Sequence, residues 1–168
     1  MRPIKLTISA FGPYAGQVEL ELPILGREGL YVICRDTGAG KTTIIDAITF
    51  ALFGRASGKN VKSEMFRSKY AQPETPTFVE LTFRYRDRDY TVRRNPDYDR
   101  PKARGTGVTR QKADGEFHRP DGSVVTGASD ITREVEALLG LNCGQFTQVA
   151  MIAQGDFRKL LEASTEER

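Results

Sequence analysis

Ile4, Leu6 and Ile8 alternate with Lys5 and Thr7, the two-residue period of a half-buried strand. After a Gly12-Pro13-Tyr14-Ala15-Gly16 turn, Val18, Leu20 and Leu22 alternate with Glu19 and Glu21, so the chain opens on a hairpin. A connection from Pro23 leads to a continuous apolar run, Gly29 to Cys34, the pattern of a strand covered on both faces. Ile44, Ile45, Ile48, Ala51 and Leu52 then recur at helical spacing, and Gly54 is placed to end that helix. Residues 55–76 lack a clean period and contain Pro73 and Pro76; they read as a long loop with a short helix near Glu64–Tyr70.

Alternation returns at Val79, Leu81, Phe83 and Tyr85, and again at Tyr90 and Val92 beyond a charged turn at Arg86–Asp89. This predicts a second hairpin with Arg84, Arg86, Arg88 and Arg93 facing outward. Residues 96–107 are polar and turn-rich, and Thr109 to Val125 predicts another hairpin, turning at Pro120-Asp121-Gly122. Ser129 or Asp130 is placed to cap a helix carrying Ile131, Val135, Leu138 and Leu139, with Gly140 as its stop. Phe146 to Ile152 is a further apolar segment, running into Ala153-Gln154-Gly155-Asp156-Phe157. No internal repeat is present. The class is α/β, with antiparallel strands ahead of the apolar strand at 29–34.

Gly38-Ala39-Gly40-Lys41-Thr42 lies between that apolar strand and the helix. Strand, glycine loop and helix form the context of a phosphate-binding loop, G-x-x-x-x-G-K-[ST]. Backbone N–H groups from Asp36 through Thr37, Gly38, Ala39, Gly40 and Lys41 to Thr42 would form a nest around the α- and β-phosphates of ATP. The helix start adds a partial positive charge. Lys41 would reach the β- and γ-phosphates, the Thr42 hydroxyl would bind Mg²⁺, and Thr43 would help at the α-phosphate. The bland alternative is a Gly-rich turn followed by Lys-Thr by chance. The motif's first glycine falls at position 35, where this chain has Arg35. A left-handed side-chain-bearing residue costs about 1–2 kcal/mol, so binding is expected to be weakened, not abolished.

The length, 168 residues with 39% apolar, suits about one domain. No run of eighteen apolar residues exists, and Met1-Arg2-Pro3-Ile4-Lys5 does not lead into a signal sequence, so no membrane partner is indicated. Two cysteines, Cys34 and Cys143, are too few for a disulfide framework, and a reducing cytoplasm is the expectation. The net charge is +3, yet Arg84 to Arg119 holds eleven Lys/Arg against six Asp/Glu, a local +5. Such a stripe either contacts phosphates or is a solvated Arg-rich hairpin. A P-loop ATPase also needs a Mg²⁺ carboxylate, commonly at the end of an apolar strand. None follows the loop: Asp46 sits in the loop's own helix and Asp130 reads as a cap. The chain reads as half an active site. The segment Glu162-Ala163-Ser164-Thr165-Glu166-Glu167-Arg168 begins a polar helical pattern and stops, as expected at a fragment boundary or the start of an insertion.

Several of these stretches together resemble the N-terminal portion of the SbcC family, the ATPase subunits of bacterial SbcCD double-strand-break-repair nucleases. They are Leu6-Thr7-Ile8-Ser9-Ala10-Phe11-Gly12-Pro13-Tyr14, Asp36 to Ile44, Asp46-Ala47-Ile48, Ala51-Leu52-Phe53-Gly54, Val92-Arg93-Arg94-Asn95-Pro96, Phe146-Thr147-Gln148-Val149 and Ile152 to Phe157. The resemblance covers essentially the whole chain. It implies the N-terminal lobe of an ABC/SMC-type P-loop ATPase head over residues 1–168. Residues 1–54 would carry the hairpin, phosphate loop and helix. Residues 55–128 would be a loop and Arg-rich β region. Residues 129–168 would be a helical part with the Q-loop and the approach to a coiled coil. It implies ATP and Mg²⁺ as cofactors, with Gln154 as the Q-loop glutamine that holds Mg²⁺ or its water and senses the γ-phosphate. The implied partners are the protein's own C-terminal lobe, a second head in a homodimer, the nuclease SbcD and double-stranded DNA. The missing lobe would supply the Mg²⁺ carboxylate, catalytic glutamate and signature motif, so this piece alone is expected to be nearly inactive. The implied roles are DNA repair, recombination and replication through control of an exonuclease and endonuclease. Two other readings stand beside it: an ATPase of the ABC-transporter type, and a non-hydrolysing DNA-binding module whose loop has degenerated at Arg35.

Overall fold

A row of apolar side chains runs across one face of a sheet and fixes how the strands align. The computed structural model describes residues 1–25, 40–56 and 65–150. Strand β1 (Arg2–Phe11) pairs antiparallel with β2 (Tyr14–Glu21) on one edge and with β3 (Phe78–Tyr85) on the other. β3 pairs with β4 (Arg88–Asn95). Strand β5 (Tyr98–Pro101) and strand β6 (Val108–Gln111) pair with each other and, among the described residues, with no other strand, as a separate two-stranded ribbon. β7 (Asp114–His118) then pairs with β4, and β8 (Val124–Thr126) with β7. Among the described residues the main sheet has six strands in the order β2-β1-β3-β4-β7-β8. Its register places Leu20, Leu6, Leu81, Val92, Phe117 and Val125 side by side. A one-residue slip would turn that row to the opposite face, so burial specifies the register.

Two turns carry the positive φ angles that two-residue hairpins require. The β1–β2 turn places Gly12 at φ 57°, followed by Pro13. The β3–β4 turn uses Arg86 and Asp87 at φ 49° and 58°, without a glycine.

Helix α1 (Lys41–Phe53) lies on the apolar face, with Ala47, Phe50, Ala51 and Leu52 buried. Phe50 packs on Phe11 and Phe66 with ring centroids 5.5 and 4.7 Å away. Helix α2 (Ala128–Leu139) adds Ile131 and Val135 to the same core. Helix α3 (Cys143–Ala150) sends Phe146 against Phe53 at 5.3 Å. Gly54 and Gly140 both take left-handed geometry and stop α1 and α2, as their positions in the sequence predict.

The structure departs from the sequence reading in four places. Ile45 is 38% exposed, because α1 buries Ala47 and Phe50 instead. Residues 66–70 are turn and bridge, not helix: Phe66 is drawn into the core and Arg67 bridges to Phe11. Thr109 belongs to the separate ribbon, so the hairpin turning at Pro120-Asp121-Gly122 is β7–β8 only. Gly127 is the N-cap of α2; Ser129 and Asp130 lie in its first turn, where Asp130 accepts a bond from Arg133. The segment after Asn142 is helical as far as Ala150. The predicted strand at 29–34 lies outside the described residues.

Candidate functional site

Among the described residues the start of α1 has no side-chain cap. Its N-cap is Gly40, at φ 85° and ψ 18°, with no side-chain cap hydrogen bond. No acidic residue stands in the first turn. An uncapped helix start presents donors and a partial positive charge, the chemistry that holds a phosphate. Thr42 is exposed and Thr43 half-buried, one residue further in.

The β1–β2 turn braces this helix start. A Cβ on Gly40 would stand 2.7 Å from Pro13 Cγ and 3.2 Å from Tyr14 Oη. Tyr14 Oη donates to the Gly40 carbonyl at 3.3 Å. A Cβ on Gly12 would stand 2.7 Å from Thr43 Cγ2. Gly12 and Gly40 are therefore required for close approach as well as for their positive φ. The turn is held from behind by backbone bonds from Gly12 N–H to Phe66 O and from Ser68 N–H to Ala10 O, both 2.8 Å. Ala10 itself has φ 47°, beside a register shift in β1. Strained backbone of this kind persists where its surroundings over-determine it.

Of the residues expected to bind nucleotide, the structure brings together Gly40, Lys41, Thr42 and Thr43 at one helix start. The Lys41 side chain, Arg35, Asp36, Thr37, Gly38, Ala39 and Gln154 lie outside the described residues. Sequence reasoning gives Gly12 and Tyr14 no role at the site. Their signal is a Gly-Pro turn of two residues, visible in the sequence but without any hint of what it packs against. Among the described residues no group of three His, Cys, Asp or Glu is placed to hold a metal. The donors present at this helix start, backbone N–H groups and threonine hydroxyls, fit an anion and one Mg²⁺ ligand.

The arginines sort into committed and free. Arg84 forms a two-pronged pair with Asp89 at 2.7 and 2.9 Å. Arg93 lies 3.8 Å over the Phe78 ring and 3.5 Å from Glu80. Arg94 is 2% exposed and makes four bonds: to Ala51 O at 2.8 Å, Leu52 O at 3.1 Å, Ala128 O at 2.8 Å and Thr132 Oγ1 at 3.1 Å. It ties the end of α1 to α2, a role that sequence reasoning misses. Burial pushes its guanidinium down to about 10. Its four acceptors favour the charged form.

The family model described as "AAA domain" matches residues 5–168. The chain is 38% identical over 172 residues to the SbcC subunit of nuclease SbcCD from Vibrio cholerae serotype O1, spanning 100% of this chain and 17% of that protein. It is 33% identical over 175 residues to the protein of the same name from Lactococcus lactis subsp. lactis, spanning 16% of it. The chain thus spans about a sixth of the length of these curated relatives. A solved chain described as "Structural biochemistry of ATP-driven dimerization and DNA stimulated activation of SMC ATPases" superposes with a TM-score of 0.54. It is 19% identical, and the match covers 100% of this chain and 95% of that one. That likeness shows the fold alone, an α/β P-loop ATPase fold. Among the described residues no helix is long and apolar enough to cross a membrane.

Proposed function

Because this chain belongs to the AAA domain family, we propose that it is the nucleotide-binding lobe of a DNA-repair ATPase head. The observation that carries the reading is the start of α1: a left-handed Gly40 N-cap, no side-chain cap and no acid, braced by Pro13 and Tyr14. That arrangement supports a phosphate cradle completed by Asp36, Thr37, Gly38 and Ala39. Lys41 would hold the β- and γ-phosphates, Thr42 would hold Mg²⁺, and Thr43 would assist at the α-phosphate. Gln154 would sit near the same cation. Bound Mg²⁺ would supply charge neutralisation between the β- and γ-phosphates. The protein's part is to orient those phosphates, and glycines at 12 and 40 let the β1–β2 turn pack closely against the helix start that does so.

Hydrolysis also needs a carboxylate on the Mg²⁺ side of the phosphates. A C-terminal lobe is proposed to bring it, and a second head to close over the nucleotide. Control of an SbcD-type nuclease, binding of double-stranded DNA and a place in the cytoplasm complete the reading. The names of the two relatives above support this over a transporter ATPase.

The test is calorimetric titration of ATP with Mg²⁺ into this chain, and into its Arg35→Gly and Lys41→Ala variants. Saturable binding that Lys41→Ala removes is the expected result. Arg35→Gly is expected to tighten binding about 5–30-fold, the equivalent of the 1–2 kcal/mol left-handed penalty. No saturable binding by either the wild type or Arg35→Gly would refute the nucleotide reading.

A further inference from the structure

The +5 stripe between Arg84 and Arg119 is not one surface. In the β3–β4 hairpin, Arg84 is paired with Asp89, Arg93 with Glu80, and Arg94 is buried. The ribbon of β5 and β6 is different. From Tyr98 to Lys112 it holds five Lys/Arg and a single acid, Asp99, which lies 3.7 Å from Arg110. From Lys102 to Ala113 no acidic residue occurs. Lys102, Arg104 and Lys112 are exposed and make no ion pair among the described residues.

The ribbon also has the form of an arm. Among the described residues it pairs with no other strand. Its connecting loop closes through Lys102 N–H to Gly107 O at 3.1 Å, and carries Gly105 and Gly107 at φ 80° and 104°. Nothing packs within 4 Å of where a Gly105 Cβ would stand. Small, open backbone between cations lets a polyanion approach closely. The root, by contrast, is fixed. Tyr98 is 8% exposed beneath the Arg67 guanidinium, which lies 4.8 Å from its ring. Asn95 Nδ2 donates to Lys112 O at 2.7 Å, and Ala113 N–H donates to Asp97 Oδ1 at 3.0 Å. A rigidly rooted arm loses little entropy on binding.

We propose that the β5–β6 ribbon is a phosphate-tracking arm for double-stranded DNA, with Lys102, Arg104 and Lys112 as its contacts. It rests on the reading of the chain as part of a DNA-processing head, and it names the surface. Three paired steps of ribbon span about 10 Å at a rise near 3.4 Å per residue. Duplex DNA carries one charge per about 1.7 Å of axis, so several phosphates face an arm of that length. The contacts are to backbone and not to bases, so binding is independent of sequence. Cationic side chains without acids between them give strong salt dependence.

The test is fluorescence polarisation of two unrelated 20-base-pair DNA duplexes, and of a single-stranded RNA of the same length, against this chain at several salt concentrations. The variant is Lys102→Gln with Arg104→Gln and Lys112→Gln, and the control is Arg86→Gln with Arg88→Gln on the β3–β4 turn. All the changed positions are in exposed turns or at the ribbon, and far-UV circular dichroism checks that each protein is folded. The expected result is an equal loss on both duplexes, about tenfold or more at 100 mM salt. The slope of log affinity against log salt should become shallower by about two to three, at roughly 0.9 per lost contact. A wild type that binds while the ribbon variant matches it in affinity and slope overturns the arm alone. So does a loss confined to the Arg86/Arg88 control. A wild type that binds no duplex overturns both the arm and the DNA part of the functional reading. A wild type that prefers the single-stranded RNA overturns the assigned partner.

Discussion

Replacing Arg94 with Ala should cost about 3 kcal/mol of stability, and the figure follows from what its guanidinium satisfies. An α-helix ends with four carbonyls that have no partner inside the helix. In α1, Phe50 O accepts from Gly54 N–H, and Ala51 O and Leu52 O accept from Arg94. Removing Arg94 leaves two carbonyls without a donor, at about 1–3 kcal/mol each. Against this, a desolvated cation is taken out of the interior, which returns part of the cost of burying it. A net loss near 3 kcal/mol is a large share of the roughly 5–15 kcal/mol that holds a domain folded. Arg94→Lys should recover less than half, because a single ammonium does not span the fork of acceptors. The chain has no Trp, so urea unfolding is followed by far-UV circular dichroism. The pH dependence sharpens the test. Burial lowers the folded-state pKa of Arg94 to about 10, well below the ordinary arginine value of the unfolded chain. The unfolded chain therefore holds the extra proton only between those two values, and stability rises with pH only in that window. From pH 6 to 9 the difference between wild type and Arg94→Ala should stay constant. A loss below about 1 kcal/mol, less than one orphaned carbonyl, would refute the network as the cap of α1. A slope between pH 6 and 9 would refute the charge assignment.

Gly12→Ala should destabilise the chain by about 1–2 kcal/mol from its positive φ alone, with the Thr43 clash added. Thr43→Ser removes Cγ2 and should recover the clash part in a double-mutant cycle of unfolding energies; strict additivity would refute the contact. Asn142→Ala should cost about 1 kcal/mol, because Asn142 Oδ1 accepts from Gln145 N–H while Gln145 Oε1 accepts from Asn142 N–H. Amide exchange in α3 reads this directly, and unchanged protection there would count against the cap.

The elements that sequence makes legible are those whose period is long and whose ends carry glycine. The β1–β2 and β3–β4 hairpins and helices α1 and α2 follow from alternation, helical spacing, Gly54 and Gly140. Two local signals are fainter. Asn142-Cys143-Gly144-Gln145 has the spacing of a capping box, which marks the start of α3. The short alternations at Tyr98–Pro101 and Val108–Gln111 are only four residues each, too brief for a period to show. The candidate site is legible as far as its motif: Gly40, Lys41, Thr42 and Thr43 stand together because they are consecutive. Gly12 and Tyr14 are not, since their contacts with Thr43 and Gly40 join residues 31 and 26 positions apart.

Arg93 and Arg94 show where the boundary between legible and illegible falls. Adjacent residues in a strand point to opposite faces. Arg94 shares the parity of Tyr90 and Val92, and Val92 belongs to the buried row, so the alternation alone already sends Arg94 inward and Arg93 outward. What alternation cannot supply is the reason an inward arginine is tolerated. Its acceptors lie 34 to 43 residues away, on the end of α1 and the start of α2. A carbonyl that a helix end leaves unpaired has no sequence signature, since every residue has one. Parity therefore identifies the buried cation, and only the packing of α1 and α2 beside β4 identifies what it satisfies. The basic stripe divides by the same logic. Face and partner, not charge count, leave Lys102, Arg104 and Lys112 without an ion pair among the described residues while Arg84, Arg93 and Arg94 are committed.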